Sequence, residues 1–130
     1  HLVFRYDATD MKLYTAPVGG THTERSTLAS TNAGGLNTEV NAFDIGVNDN
    51  GGTPDTASCF DGLIDDVRVW NTSRTTTELD DNFQIELVGN ESGLVAYYKL
   101  NNDLTDETAS AFDLTGSGSP TFSTDVPFTT

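Results

Sequence analysis

The chain has 130 residues, the size of one domain, which is enough to bury a single hydrophobic core. Six lysines and arginines stand against twenty aspartates and glutamates, so the formal net charge is −14. This balance argues against a surface for nucleic acid or anionic membrane, since both need lysine and arginine, and no apolar run is long enough to insert into a bilayer. Cys59 is the one cysteine of the sequence, which excludes an intrachain disulfide and a cysteine metal cluster.

The chain opens on a predicted β-hairpin. Residues 1–7 alternate, with Leu2, Phe4 and Tyr6 on one face, and residues 11–16 return after a tight turn. This spacing is typical of two antiparallel strands.

The middle of the chain is predicted to alternate between strands and polar loops. The strands cover residues 21–28, 40–47 and 60–71, and the loops cover 30–37 and 48–58. The strand at 60–71 has the strongest signal, and the adjacent Leu63 and Ile64 indicate a bulge or burial on both faces.

One short helix interrupts the strands. Thr75 and Glu78 have the spacing of a capping box, and Leu79 and Phe83 follow at i and i+4 on one face. The remaining predicted strands cover residues 94–100, 112–115 and 120–123. Many strands with one short helix predict an all-β sandwich.

Three stretches, in this order, resemble the laminin-G-like and pentraxin branch of the concanavalin A-like jelly rolls. They are HLVFRYDATDMKLY at 1–14, FDIGVNDN at 43–50 with FDGLIDDVRVWN at 60–71, and the predicted helix with the strand behind it at 93–100. The resemblance implies a concanavalin A-like jelly-roll β-sandwich and a single laminin-G-like domain over residues 1–130.

In that family further strands precede the first of these stretches. We therefore expect the chain to be the C-terminal portion of the fold, with its N-terminal strands missing. Unpaired strand edges promote pairing with other chains. Self-association, or a scaffold protein that supplies the missing strands, is expected.

The related glucanases cut with carboxylates on a Glu-x-Asp-x-Glu strand, and this pattern is absent from the sequence. The densest acidic group, Asp61, Asp65 and Asp66, lacks that spacing. His22 lies in a polar strand and is predicted to be a surface histidine. The sequence thus predicts a protein that is not an enzyme.

Calcium is a candidate cofactor. The loop that follows residue 47 supplies oxygen ligands of the kind Ca²⁺ prefers, on Asn48, Asp49, Asn50 and Asp55. By position this loop resembles the pentraxin loop that holds ligand-bridging calcium, so Asn48, Asp49 and Asn50 are also predicted ligand-binding residues. The alternative is an Asx/Gly turn that holds no ion.

Asp66 is a second candidate calcium ligand, because the matching acid of the jelly-roll glucanases helps to hold a structural calcium. Arg68, two residues further on, lies on the same face of the predicted strand. A buried carboxylate must be paired or metal-bound. The sequence leaves both alternatives open.

Sugar recognition needs exposed aromatic faces. Tyr14 points outward by alternation and is the predicted ligand-binding aromatic, whereas Trp70 is expected to pack in the core. Of the adjacent Tyr97 and Tyr98, one is predicted to point inward and one outward.

Two functions follow from these observations. The first is a non-catalytic extracellular recognition or adhesion module that binds glycans or protein surfaces, with calcium as a candidate cofactor. The alternative is a structural or decoration subunit of a virion, fibre or surface appendage. Both place the protein outside the cell or on a surface, where the N-glycan acceptor patterns at Asn71 and Asn90 would matter only in a eukaryotic secretory setting.

Overall fold

The computed structural model of the protein describes residues 1–29, 43–49, 53–55 and 57–125. The elements in this part of the chain are β1 (Leu2–Tyr6), β2 (Asp10–Thr15), β3 (Thr23–Ala29), β4 (Asn48–Asp49), β5 (Pro54–Asp55), β6 (Val67–Trp70), α1 (Thr76–Asn82) and β7 (Leu94–Tyr98). All strand pairs are antiparallel, in the groups β1–β2–β3, β4–β5 and β6–β7.

The β1–β2 hairpin confirms the first predicted pair of strands. Its turn is stabilised by Asp7, whose Oδ1 accepts hydrogen bonds from the amides of Thr9 (3.2 Å) and Asp10 (2.9 Å). Ala8 lies in the left-handed region at φ 70°, which closes the turn tightly. Strand β3 joins the other edge of β2, so β2 is the central strand of this sheet.

The predicted strand at 60–71 is wrong in its extent, since β6 covers only Val67–Trp70. Asp66 has φ 53°, a left-handed conformation that cannot continue a strand, and the extended pairing therefore begins one residue later. β6 then pairs with β7 in a register that shifts between Val69 and Trp70.

Two further predictions about strands fail within the described residues. Residues 43–47, the described part of the predicted strand at 40–47, form bends and irregular backbone. The predicted short strands at 112–115 and 120–123 are also irregular. The loop predicted at 48–58 contains the two-residue pair β4–β5.

Helix α1 begins as the capping box predicts. The Glu78 amide donates to Thr75 Oγ1 (3.2 Å), and the Thr75 amide donates to Glu78 Oε2 (2.8 Å). The hydrogen bond from the Thr75 amide, followed by that from its hydroxyl, lowers the pKa of Glu78. Leu79 and Phe83 are buried, as their spacing predicts.

We expect Thr75→Ala to lower the free energy of unfolding by about 1 kcal/mol, because the first turn loses its side-chain acceptor. Urea titration followed by circular dichroism measures this change. Thr76→Ala is the matched control: Thr76 is an exposed residue of the same turn, with no part in the cap. Equal effects of the two substitutions would contradict the role given to the box.

His22 holds helix α1 against the first sheet. Its side chain is fully buried, and its ring Nδ1 and its backbone amide both contact Asp80 Oδ1, at 2.6 and 2.7 Å. The His22 Nε2 lies 2.7 Å from His1 Nδ1, and Phe83 packs against both rings. The predicted surface location of His22 is therefore wrong, because residues far apart in sequence cover it.

The buried apolar side chains come from the end of β2, from α1 and the segment behind it, and from β7. They are Tyr14, Ala16, Leu79, Phe83, Leu87, Ala96, Tyr97 and Tyr98. Tyr97 and Tyr98 are both buried, which contradicts the prediction of one inward and one outward ring. The 104–114 segment explains the difference, since Tyr98 donates its hydroxyl hydrogen to the Phe112 carbonyl (2.8 Å).

The described residues contain no helix capable of spanning a lipid bilayer.

Candidate functional site

A cleft of about 1220 Å³ lies along strand β1. Its walls come from β1, from β2, from the segment 63–74 and from helix α1. We call it the β1 cleft. Its apolar lining includes Leu2, Phe4, Met11, Phe43, Leu63 and Ile64.

These apolar side chains are exposed to solvent. Phe4 is 79 % exposed and Leu63 is 63 % exposed, and the others named above are all more than one-third exposed. Soluble monomers rarely leave several large apolar side chains exposed around one concavity, and such patches usually mark an interaction site.

The backbone of β1 has a free edge in this cleft. The Asp7 amide donates to the Asp10 carbonyl (3.3 Å), so the odd-numbered residues of β1 form the bonded pairs with β2. The amide and carbonyl groups of Leu2, Phe4 and Tyr6 therefore point away from β2. No strand among the described residues pairs with this edge.

The β1 cleft also concentrates the positive charge of the protein. Four of the six lysines and arginines line it, together with three carboxylates. The cations are Arg5, Lys12, Arg68 and Arg74, and the carboxylates are Asp65, Asp66 and Glu78. The cleft is therefore weakly positive in a chain whose net charge is −14.

Arg5 differs from the other cations of the cleft. Lys12, Arg68 and Arg74 each form an ion pair with a carboxylate, whereas Arg5 has none among the described residues. Its Nη1 donates to the Arg74 carbonyl (3.1 Å), and its guanidinium lies 4.8 Å from the centre of the Tyr14 ring. The Arg5 Nε is buried and has no hydrogen-bond partner.

Tyr14 does not have the exposure that alternation predicts. The residue is 3 % exposed, and its hydroxyl donates to Glu24 Oε2 (3.2 Å). Burial raises the pKa of this hydroxyl. Alternation correctly groups residues by face, but it does not show which face other segments cover. The ring of Tyr14 offers no open face to a sugar.

A family model of laminin-G type, described as concanavalin A-like lectin/glucanases superfamily, matches residues 1–80. The chain belongs to this superfamily. Its antiparallel sheets and single described helix are consistent with the concanavalin A-like β-sandwich, so the predicted fold class and the laminin-G-like resemblance are confirmed. No curated protein and no solved structure matches the chain significantly. The matched residues include β1, β2 and most of the β1 cleft.

The concanavalin A-like lectin/glucanases superfamily includes glucanases, but its lectin-type members are generally non-catalytic. Membership therefore indicates a β-sandwich module that binds carbohydrate or protein, without saying which. The particular activity has to be argued from the site, because one fold serves many functions.

In this member of the superfamily, the structure brings together two of the predicted calcium ligands. Asn48 and Asp55 are opposite each other across the β4–β5 pair. The side chain of Asp49 and the whole of Asn50 lie outside the described residues. Asp55 accepts hydrogen bonds from Ser58 Oγ (2.8 Å) and from the Ala57 amide (3.0 Å), which lower its pKa, the Ser58 bond most.

The described residues contain no group of three or more His, Cys, Asp or Glu side chains arranged for a metal ion. Calcium at the 48–55 loop therefore stays a prediction.

Asp66 takes the ion-pair alternative. One carboxylate oxygen contacts Arg68 Nε, and the other accepts from Arg68 Nη2 (2.9 Å) and from the Tyr97 hydroxyl (2.9 Å). Burial, followed by the hydrogen bond to Asp66, raises the pKa of Tyr97. Asp66 is thus paired with Arg68 and hydrogen-bonded to Tyr97, which is the arrangement that the salt-bridge alternative predicts.

Sequence reasoning did not single out the residues of the β1 cleft as a site. The pattern places Leu2 and Phe4 on one face of a strand, and it predicts a bulge or burial on both faces at Leu63 and Ile64. The sequence shows part of this site, because alternation identifies the apolar face of the strand. It does not show that this face is exposed, since exposure depends on which other segments cover it.

Proposed function

We propose that this member of the superfamily is a non-catalytic, extracellular recognition module whose β1 cleft binds a segment of a partner protein. The observation that carries the proposal is the coincidence, in one cleft, of exposed apolar side chains with a free strand edge. Apolar contacts supply affinity, and hydrogen bonds to the unpaired amide and carbonyl groups would fix the orientation of the bound segment. The acidic, lysine-poor composition suits an external setting.

Protein is favoured over glycan as the ligand class. Sugar-binding sites combine exposed aromatic faces with polar groups that fix the hydroxyls. Tyr14, Tyr97 and Tyr98 are all buried, and the exposed aromatic side chains that line the cleft are Phe4 and Phe43. Tyr6 and Trp70 also line it but are half-buried, so Trp70 is not the core residue that the sequence predicts. Exposed phenylalanines beside aliphatic side chains fit the apolar core of a protein interface better.

The carboxylates of the cleft support a non-catalytic role. Glycoside hydrolysis needs two free carboxyl groups, one on each side of the scissile bond. Asp66 is paired with Arg68, and Glu78 is held by the capping box. Among the carboxylates that line the described cleft, this leaves Asp65, whose pKa is raised by burial and then by the charge of Asp66.

Selection from a phage-displayed peptide library, followed by fluorescence anisotropy with the selected peptides, tests the proposal. We expect Phe4→Ser to weaken peptide binding by about tenfold or more, because an exposed aromatic side chain of this kind acts as an interface anchor. Phe112→Ser is the matched control: Phe112 is another exposed phenylalanine, 59 % exposed, that does not line the cleft. A glycan array is run in parallel, with and without calcium chelator.

Peptide binding that Phe4→Ser weakens and Phe112→Ser does not would support the proposal. Glycan binding that is unaffected by Phe4→Ser, or no binding to either library, would contradict it. Concentration-dependent oligomers that Phe4→Ser abolishes would replace it with the structural-subunit alternative, since the cleft would then be filled by a second copy.

A further inference from the structure

We infer that the occupant of the β1 cleft is an extended strand of a partner protein that pairs antiparallel with β1 and places a carboxylate against Arg5. This inference rests on the proposed function and deepens it, because it names the conformation and the charge pattern of the ligand.

The size of the cleft favours a polymer segment over a small molecule. Its volume of about 1220 Å³ exceeds the range of roughly 300–1,000 Å³ that is common for small-molecule pockets. The cleft also extends along the whole of β1, since every residue from Leu2 to Tyr6 lines it.

The backbone of β1 favours an added strand. Leu2, Phe4 and Tyr6 direct three amides and three carbonyls away from β2, at the spacing of alternate residues, and all three residues line the cleft. A strand that runs beside them can satisfy these groups in turn, as in β-strand addition. Antiparallel pairing is the arrangement already found on both edges of β2, and it is slightly more stable per residue than parallel pairing.

The side chains of β1 then specify the pattern of the partner. Residues opposite each other in a pair share one face of the sheet, so apolar partner residues belong opposite Leu2, Phe4 and Tyr6. The residue opposite Arg5 lies on the other face. Read from its N-terminus, an antiparallel partner meets Tyr6 first and Leu2 last.

Arg5 favours a carboxylate on the partner residue that lies opposite it. Among the described residues it is the cleft cation without a carboxylate partner. A glutamate on the added strand would supply the missing counter-charge. A partner other than a second copy is favoured, because two chains of net charge −14 repel each other at long range.

The test uses labelled peptides with the core Val-Glu-Val-Thr-Val between short Gly-Ser flanks, measured by fluorescence anisotropy. We expect replacement of the peptide glutamate by lysine to weaken binding about tenfold. With Arg5→Glu, the preference should reverse in favour of the lysine peptide. Arg5→Gln, a milder substitution, should remove the preference even if the charge reversal prevents folding.

Backbone methylation tests the pairing itself. N-methylation of the three valines removes the amides that face β1 and should abolish binding, whereas N-methylation of the glutamate and threonine, whose amides face away, should be tolerated.

Failure of the inference and failure of the proposed function give different results. Peptides that need Phe4 but tolerate either charge and every methylation would overturn strand pairing and leave the recognition module in place. The same holds if library-selected peptides bind through Phe4 and the designed core does not. If neither the designed nor the selected peptides bind, both proposals fall.

Discussion

Replacement of Arg68 by alanine is expected to lower the free energy of unfolding by about 3–5 kcal/mol, which is the usual cost of breaking a buried ion pair from one side. The side chains of Arg68 and Asp66 are each only 8 % exposed. Without the guanidinium, the Asp66 carboxylate keeps one donor, the Tyr97 hydroxyl, and stays buried without its counter-charge.

Arg68 also stabilises the end of helix α1. Its Nη1 donates to the Asn82 carbonyl (2.8 Å), and its Nη2 donates to the Ile85 carbonyl (2.6 Å). These carbonyls lie at and just beyond the last turn of the helix, where the intrahelical acceptors have no backbone donors. The substitution therefore removes an ion pair and two helix-end hydrogen bonds together.

Urea denaturation followed by the fluorescence of Trp70 measures the effect of Arg68→Ala. Arg25→Ala is the control, because Arg25 is an exposed arginine that donates to Thr15 Oγ1. We expect this control to change stability by less than about 0.5 kcal/mol. The double variant Arg68→Ala with Asp66→Asn should recover part of the loss, since it removes the unpaired charge. A cost of Arg68→Ala no larger than that of Arg25→Ala would contradict the structural role given to the pair.

Replacement of Asp106 by alanine is expected to lower the free energy of unfolding by about 3 kcal/mol. Asp106 is 5 % exposed, and its carboxylate is the acceptor for a loop that covers β7. Oδ1 accepts from the amides of Tyr97 and Thr108 (both 3.0 Å), and Oδ2 accepts from the Phe112 amide and the Thr108 hydroxyl (both 3.0 Å). Alanine leaves these donors without an acceptor.

The same carboxylate predicts how stability depends on pH. Burial raises the pKa of Asp106, but the amide hydrogen bonds from Tyr97, Thr108 and Phe112 outweigh it and hold the pKa below the ordinary value of 3.8. A lowered folded-state pKa contributes stability above the unfolded pKa, and this contribution is lost as the pH falls through the folded value.

Stability of the unsubstituted protein should therefore fall as the pH drops below about 4. Asp106→Asn should be less stable at neutral pH and should lose less on acidification, because no proton has to be taken up at this site. Thermal melts between neutral and acid pH measure both slopes, and Asp103→Asn, an exposed neighbour, is the control. Parallel pH profiles for Asp106→Asn and the unsubstituted protein would contradict the assignment.

The sequence correctly predicts the elements whose formation depends on residues close together in the chain. The capping box of Thr75 and Glu78 involves residues three apart, and it forms as expected. The hairpin of β1 and β2 follows from alternation on both sides of the Asp7 turn. Such features need only short-range geometry, which a sequence displays directly.

Burial was harder to predict, because it depends on segments far away in the chain. Tyr98 is covered by the segment that contains Phe112, and His22 is covered by α1 through Asp80. Both residues stand in patterns that would be equally compatible with an exposed location. Alternation shows which residues share a face, and only the tertiary fold shows what covers that face.

The candidate site illustrates the same difference. Alternation in the sequence shows the apolar face of β1 as Leu2, Phe4 and Tyr6, but it predicts ligand binding at Tyr14 and at the polar 48–55 loop. The left-handed backbone at Asp66, which ends the expected long strand early, leaves Leu63 and Ile64 outside the sheet and within the cleft. The periodicity of the sequence does not predict that the strand is interrupted at Asp66.

Residue-resolved hydrogen exchange, measured by NMR with and without a selected peptide, tests the central claim most directly. In the free protein, the amides of Leu2, Phe4 and Tyr6 should exchange rapidly, while those of Val3 and Arg5, bonded to β2, should be protected. Saturation with peptide should slow exchange at Leu2, Phe4 and Tyr6. If these three amides exchange equally fast in the complex, and protection appears elsewhere, β1 is not the binding edge.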